Sequence, residues 1–306
     1  MLNPQLDRRG ELIHLLTTEG LPRRHVERLL DAARADAAAG GAQPDAAPAL
    51  PVFLSLPEAA SADREAYAAA AARLSMLPVT LNAPAVGALA ETAGALAPGV
   101  LVLRHEESGA AHCAAAHAAP GLRVINAGDG RHADPLPALA LVQAIIEIKH
   151  DLTNLAVTLV GDISHSRLAR SVIHLLTTLG VPEVRVAAPR TLLPEGLPQL
   201  GVRACATLRE GLQDADVVIV LPLRVEQISG ALLPSAREYA YTHGLTPAAL
   251  AAARPDALLL PADRLAPGVE VDGDIAASVA PIEARLAELE QHLRLAALRV
   301  LAGDAP

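Results

Sequence analysis

The chain has 306 residues and a formal net charge of −9, with 52% hydrophobic but only 1% aromatic residues. That length accommodates two ordinary domains with their own cores, and small aliphatic residues, Ala above all, must build them. The negative charge argues against nucleic acid or an acidic membrane surface as partner, and the scarcity of aromatic faces argues against a base-stacking platform.

In chain order, Leu21 to Ala39 predicts an amphipathic helix with Val26, Leu29, Leu30 and Ala33 on one face. Residues 40–51, GGAQPDAAPALP, read as a loop by their Gly and Pro content. Strands and helices then alternate. Val52 to Leu56 predicts a strand, Asp63 to Leu74 a helix with Ser61 as its cap, Val79 to Leu81 a strand, and Pro84 to Leu96 a helix opened by its proline. Val100 to Leu103 predicts a strand, Gly109 to Ala118 a helix, and Arg123 to Ile125 a strand ending in the turn Asn126–Gly130. Leu136 to His150 is a long helix that bridges two domains.

A second series follows. Leu155 to Val160, Val184 to Ala187, Val202 to Ala206, Val217 to Leu221 and Leu258 to Leu260 predict strands. A helix over Ser166 to Leu179 is closed by Gly180, and Pro281 to Leu301 forms the last helix. Short apolar strands alternating with helices imply parallel sheets covered on both faces. The expected fold class is therefore α/β: two doubly wound parallel-sheet domains, residues 1–135 and 151–280, joined by the helix at 136–150. The C-terminal helix, 281–306, is expected to pack back on the first domain. In such domains ligands bind at the carboxyl ends of the strands.

Several chemistries find no support. Cys113 and Cys205 lie far apart without CxxC spacing, which gives neither a disulfide framework nor a zinc cluster. His105, His112 and His117 do not place a ligand pair on one helix turn, and HExxH is absent, so no metal is expected. The strand–Gly–helix segment Val157 to Ser171 lacks GxGxxG, and there is no GxSxG elbow. The first residues, MLNPQLDRRGELIHLL, lack the long apolar run of a signal peptide. No apolar stretch reaches about twenty residues, so a soluble cytoplasmic protein is expected.

Four segments carry a resemblance. They are Val102-Leu103-Arg104-His105; Asn126-Ala127-Gly128-Asp129-Gly130; Gly161-Asp162-Ile163-Ser164-His165-Ser166-Arg167-Leu168-Ala169-Arg170-Ser171; and Leu223-Arg224-Val225-Glu226, followed by Glu238-Tyr239 and Tyr241-Thr242-His243-Gly244-Leu245-Thr246. In this order and spacing they resemble the aspartate carbamoyltransferases, from about Leu12 to the C-terminal helix. The His-Cys-Leu-Pro signature of the ornithine branch is absent. The resemblance implies carbamoyl transfer from carbamoyl phosphate to L-aspartate, in pyrimidine biosynthesis, without metal or organic cofactor. It also implies an N-terminal carbamoyl-phosphate domain, a C-terminal aspartate domain, and a trimer with shared sites. Such a site needs a helix N-terminus and arginines for the phosphate, fixed donors for the oxyanion, and forked guanidinium groups for aspartate.

Much of the family's pattern is substituted. Its Ser-Thr-Arg-Thr-Arg phosphate loop corresponds to Ala60-Ser61-Ala62-Asp63-Arg64, flanked by Glu65. Acids at a helix start satisfy the dipole that a phosphate would otherwise satisfy. The family's mobile loop carries a serine and a lysine into the neighbouring site; Ser75 to Gly99 is shorter, and Lys149 is the chain's only lysine. The family's His-Pro-Thr-Gln corresponds to Asp134-Pro135-Leu136-Pro137, its Arg-x-Gln to Arg224-Val225-Glu226, and its His-Pro-x-Pro to Leu260-Pro261-Ala262-Asp263. Arg64, Arg104, His105, Arg167 and Arg224 survive. By the resemblance, Arg104 would touch the donor's carbonyl and phosphate, and Arg167 and Arg224 would hold aspartate's carboxylates. The competing reading places these arginines in structural ion pairs and makes His105 an ordinary hydrogen-bonded histidine.

Each missing contact of this kind costs about 2–4 kcal/mol. Half the naive sum over four, roughly 4–8 kcal/mol, is about three to six decades of rate, and such losses are not additive. The expectation is a catalytically inactive homologue with a structural or regulatory role, as a homotrimer or in a mixed assembly with an active carbamoyltransferase or dihydroorotase. The alternative is an active aspartate carbamoyltransferase, or a transcarbamoylase with altered substrate.

Overall fold

A computed structural model of the chain describes residues 3–38, 50–223 and 235–303. The chain divides into two compact units, residues 1–140 with 288–306, and residues 141–287.

In the first unit, α1 (Arg23–Ala38) buries Val26, Leu29, Leu30 and Ala33, the apolar stripe of its sequence. Then come β1 (Pro51–Ser55), α2 (Ser61–Arg73), β2 (Leu77–Thr80), α3 (Leu89–Ala95), β3 (Gly99–His105), α4 (Ala110–Ala116), β4 (Leu122–Asp129) and α5 (Pro135–Lys149), whose residues from Leu141 onward belong to the second unit. The four strands form a parallel sheet in the order β2-β1-β3-β4. Leu101, Leu103 and Val124 of the sheet pack with Ala93 of α3 and Ala110, Ala111 and Ala114 of α4. Alanine on the helix side lets backbone and sheet approach closely, so a core forms almost without aromatics.

The second unit continues with β5 (Ala156–Val160), α6 (Arg167–Leu179), β6 (Glu183–Ala187), β7 (Val202–Cys205), α7 (Leu208–Leu212), β8 (Val217–Val220), α8 (Ala236–His243), α9 (Pro247–Leu250), β9 (Leu258–Pro261) and α10 (Gly273–Gly303), whose residues from Glu288 onward belong to the first unit. Its five strands are all parallel, in the order β7-β6-β5-β8-β9. The central strands β5 and β8 are buried along their whole length, which is why β8 reads as an unbroken apolar run and β5 as one interrupted by Thr158 alone, whose hydroxyl donates to the Gly211 carbonyl at 2.6 Å. Ser166 Oγ caps α6 by accepting from the Ala169 N–H at 3.1 Å, and Gly180 ends the helix at φ +84°.

Four elements depart from the sequence reading. Ser61 is not a cap: a 3-10 turn over Glu58–Ala60 runs directly into α2, so Ser61 is already helical and its N–H bonds the Glu58 carbonyl. The helix expected from Pro84 begins at Leu89, after a separate 3-10 turn at Val86–Ala88. β4 runs to Asp129, because the turn residues keep pairing with β3 through the His105–Asp129 register. α10 starts at Gly273, with Pro281 inside it rather than at its head. The loop expected at 40–51 lies mostly outside the described residues.

Candidate anion site

The carboxyl ends of β1, β3 and β4 bring the first unit's polar residues together. β1 and β3 are neighbours, with Ser55 beside Leu103. The first turn of α2, which follows β1, therefore comes alongside Arg104, the penultimate residue of β3. The Asn126–Gly130 turn closes the group. Asn126 Nδ2 donates to the Leu16 carbonyl and to Asp129 Oδ1, both at 2.8 Å, and its Oδ1 accepts from the Gly128 N–H at 2.9 Å. Gly130 sits at φ +49°, where a Cβ would come within 2.5 Å of Ser108 Oγ. Only glycine fits that approach.

At the centre of the group is Asp63. Its Oδ2 accepts from Arg104 Nη1 at 2.5 Å, and its Oδ1 from Arg294 Nη2 at 2.9 Å. Arg294, on α10, also pairs with Glu290 Oε2 at 2.8 Å and lies over the Tyr67 ring, 5.5 Å from its centroid. Burial works against the charge of Arg294, but Tyr67, Glu290, Asp63 and Asp134 outweigh it and raise its pKa. Burial likewise pushes the Tyr67 hydroxyl up, Arg294 opposing it only in part. Asp134, buried just before α5, adds its field to the same place. Arg104 and Arg294, which could grip an oxyanion, are thus already matched by carboxylates of the protein.

The other residues singled out in the sequence have different surroundings. Arg64 Nη2 donates to the carbonyls of Leu56 and Pro57, at 2.8 and 3.1 Å, and so fastens the loop between β1 and α2. His105 Nδ1 accepts from the Glu107 N–H at 2.9 Å, so its Nε2 donates to the Pro84 carbonyl at 3.2 Å. Ala60 is buried and Ala62 exposed, and Pro137 sits in the first turn of α5, where its missing N–H has no helical partner to lose. Lys149 Nζ binds the carbonyl and carboxylate of Asp256, at 2.6 and 2.9 Å.

In the second unit, Arg167 is the first residue of α6, directly after its Ser166 cap. The loop before it is braced by Asp162, whose carboxylate accepts from His165 Nδ1 at 2.9 Å and from the His165 N–H at 3.1 Å. Gly161 opens that loop at φ +126°, and a side chain there would run into the Leu221 carbonyl. Arg224 and Glu226 lie outside the described residues. Tyr239 is buried and stacks on His243 with ring centroids 5.7 Å apart. Burial, with Glu270 and Asp162 adding to it, raises the pKa of its hydroxyl.

Sequence reasoning missed Arg294, Tyr67 and Glu290. Asp63 and Arg294 are 231 positions apart. The local signals, Tyr67 one helical turn after Asp63 and Glu290 one turn before Arg294, do not say that the two turns meet.

Among the described residues, no helix is long and apolar enough to cross a membrane. No protein-family model matches the sequence. Solved structures of the same fold include aspartate transcarbamoylase from Trypanosoma cruzi in complex with carbamoyl phosphate and aspartate, at 19% identity and TM-score 0.76, over 94% of this chain and 96% of that one. Ornithine carbamoyltransferase from Pyrococcus furiosus aligns at 19% identity and TM-score 0.78, over 96% and 98%. Ornithine carbamoyltransferase from Gloeobacter violaceus aligns at 20% identity and TM-score 0.77, over 96% and 99%. With its four-stranded and five-stranded parallel sheets, the chain has the fold of the aspartate and ornithine carbamoyltransferases.

Proposed function

We propose that this chain is a carbamoyltransferase homologue without carbamoyl-transfer activity, kept as a structural or regulatory subunit linked to pyrimidine biosynthesis. The observation that carries the reading is the Asp63–Arg104 ion pair. By the resemblance, Arg104 is the residue that would meet the donor's carbonyl and phosphate. A dianionic donor would have to displace a carboxylate tied to two guanidinium groups, beside the further charges of Glu290 and Asp134. Like charges disfavour that exchange. The surroundings of His105 and Lys149 add support: both nitrogens of His105 and the ammonium of Lys149 are bound to other groups.

On this reading the protein is maintained for its shape, as a homotrimer or as one member of a mixed assembly with an active carbamoyltransferase or a dihydroorotase. In a cyclic trimer each subunit uses a heterologous, closing interface, so a compatible relative can take one position. The test is colorimetric detection of N-carbamoyl-L-aspartate with the purified chain at millimolar carbamoyl phosphate and aspartate. No product is expected. Turnover in the ordinary enzymatic range, about 1–1000 per second, would mean an active transcarbamoylase instead.

A further inference from the structure

His112, Asp129 and His132 each offer a ligand atom, and the three atoms lie within 4.8 Å of one another. By position in the sequence, His112 groups with His105 and His117. Those two turn elsewhere: His105 to Pro84 and Glu107, and His117 Nδ1 to the Cys113 carbonyl at 2.9 Å. His112 instead projects from α4 toward the end of β4, where Asp129 and His132 stand three residues apart in one turn.

We propose that His112, Asp129 and His132 form a binding site for a divalent transition-metal ion of the zinc class, with a further position left to water. Two imidazoles and one carboxylate are a donor set that suits such ions with an open coordination position.

The carboxylate is already held in place. Asp129 Oδ1 accepts from Asn126 Nδ2 at 2.8 Å and from the Ala133 N–H at 3.1 Å, and Oδ2 accepts from the Gly109 N–H at 2.7 Å. Three fixed donors orient the group and leave lone-pair capacity toward His132. His132 Nδ1 lies 3.1 Å from Asp129 Oδ2. Ligand atoms on one zinc at about 2.0–2.1 Å are roughly 3.3 Å apart at the tetrahedral angle. This pair is therefore nearly at ligating separation, and a metal would replace the bridging proton. The Gly109 contact also ties the start of α4, and with it His112, to the same carboxylate.

The third ligand has an independent indication. Nδ1 of His112 is buried with no hydrogen-bond partner, which is costly unless something satisfies it. The His112 and His132 rings meet edge to face, with centroids 5.2 Å apart and planes at 72°. Both histidines are partly exposed while Asp129 is buried, so an ion can enter from solvent and keep a water.

The test is calorimetric titration of the full chain with Zn(II), together with the visible spectrum after Co(II) addition. One equivalent should bind in the micromolar range or tighter, with the intense absorption of low-coordinate cobalt. His112→Ala and His132→Ala should each lower affinity by more than the about 10–100-fold that loss of a ligand's supporting hydrogen bond costs, while His117→Ala leaves it unchanged. Absence of binding by the parent, or binding that survives both substitutions, overturns the proposal. A readout free of folding defects is the parent's histidine ring-proton spectrum during Zn(II) titration. Of its 11 histidines, His112 and His132 alone should shift at one equivalent; a response from others in their place overturns the site.

Discussion

Asp63 Oδ2 stands 2.5 Å from Arg104 Nη1, so the first turn of α2 and the end of β3 are joined by a charge-assisted contact. The other oxygen of the same carboxylate holds Arg294, whose side chain is only 12% exposed. Removing Asp63 thus leaves one partly exposed and one nearly buried guanidinium without this partner. Asp63→Asn should lower stability by about 1–3 kcal/mol, read as a shifted urea midpoint at unchanged m-value. An unchanged midpoint would show that the pairs contribute nothing. The deficit should narrow in high salt, since Asp63 is partly exposed to screening ions.

Arg64 offers a contrast. Its contacts are backbone carbonyls of Leu56 and Pro57, not an anion. Arg64→Met should cost about 1–2 kcal/mol by loosening the loop ahead of α2, and it should leave phosphate affinity where it was. A variant that keeps its stability and changes its response to phosphate would assign Arg64 to ligand binding.

His14 supplies a pH dependence. Its Nδ1 accepts from the Val124 N–H at 3.0 Å, and burial, with Arg123 adding to it, lowers its pKa from an ordinary 6.5 to about 4. The unfolded chain therefore takes up this proton first as pH falls. The contribution of neutral His14 is fully present above pH 6.5 and is lost as pH drops from 6.5 toward about 4. The loss amounts to about 3 kcal/mol at most. His14→Asn, which can offer a side-chain oxygen to the same N–H, should flatten stability between these limits. An equally steep profile in that variant would place the dependence on other groups.

Assembly is tested by native mass spectrometry of the chain, alone and co-expressed with an aspartate carbamoyltransferase or a dihydroorotase. A homotrimer or a mixed complex is expected. If the chain enters a mixed trimer, its Ser75–Gly99 segment has no lysine to deliver, and the neighbouring active site should lose activity. A monomer that co-purifies with neither enzyme contradicts the assembly role.

The sequence showed the fold more readily than the site, for physical reasons. β5 and β8 are buried on both faces, so their apolar runs stand out; α1 shows its stripe because one face alone is buried. Pro281 misled because proline marks helix starts, whereas α10 absorbs it eight residues in. Ser61 misled because a 3-10 turn took the capping position. Within the site, an acid at the start of a helix is legible in the sequence at Asp63, but its pairing is not. That depended on Arg294, brought from 231 positions away by tertiary packing. His112 and the Asp129–His132 pair were separated for the same reason: their meeting depends on α4 packing beside the end of β4.

On the proposed reading, the protein's own carboxylates Asp63 and Glu290 occupy the cations of the anion site. Isothermal titration with carbamoyl phosphate, and with the bisubstrate analogue phosphonoacetyl-aspartate, tests it most directly. The parent chain should show no binding at sub-millimolar ligand. The combined variant Ala62→Arg, Asp63→Thr and Asp134→His, which frees Arg104 and returns positive charge to the helix start, should gain measurable affinity. A micromolar dissociation constant for the parent chain would contradict the account.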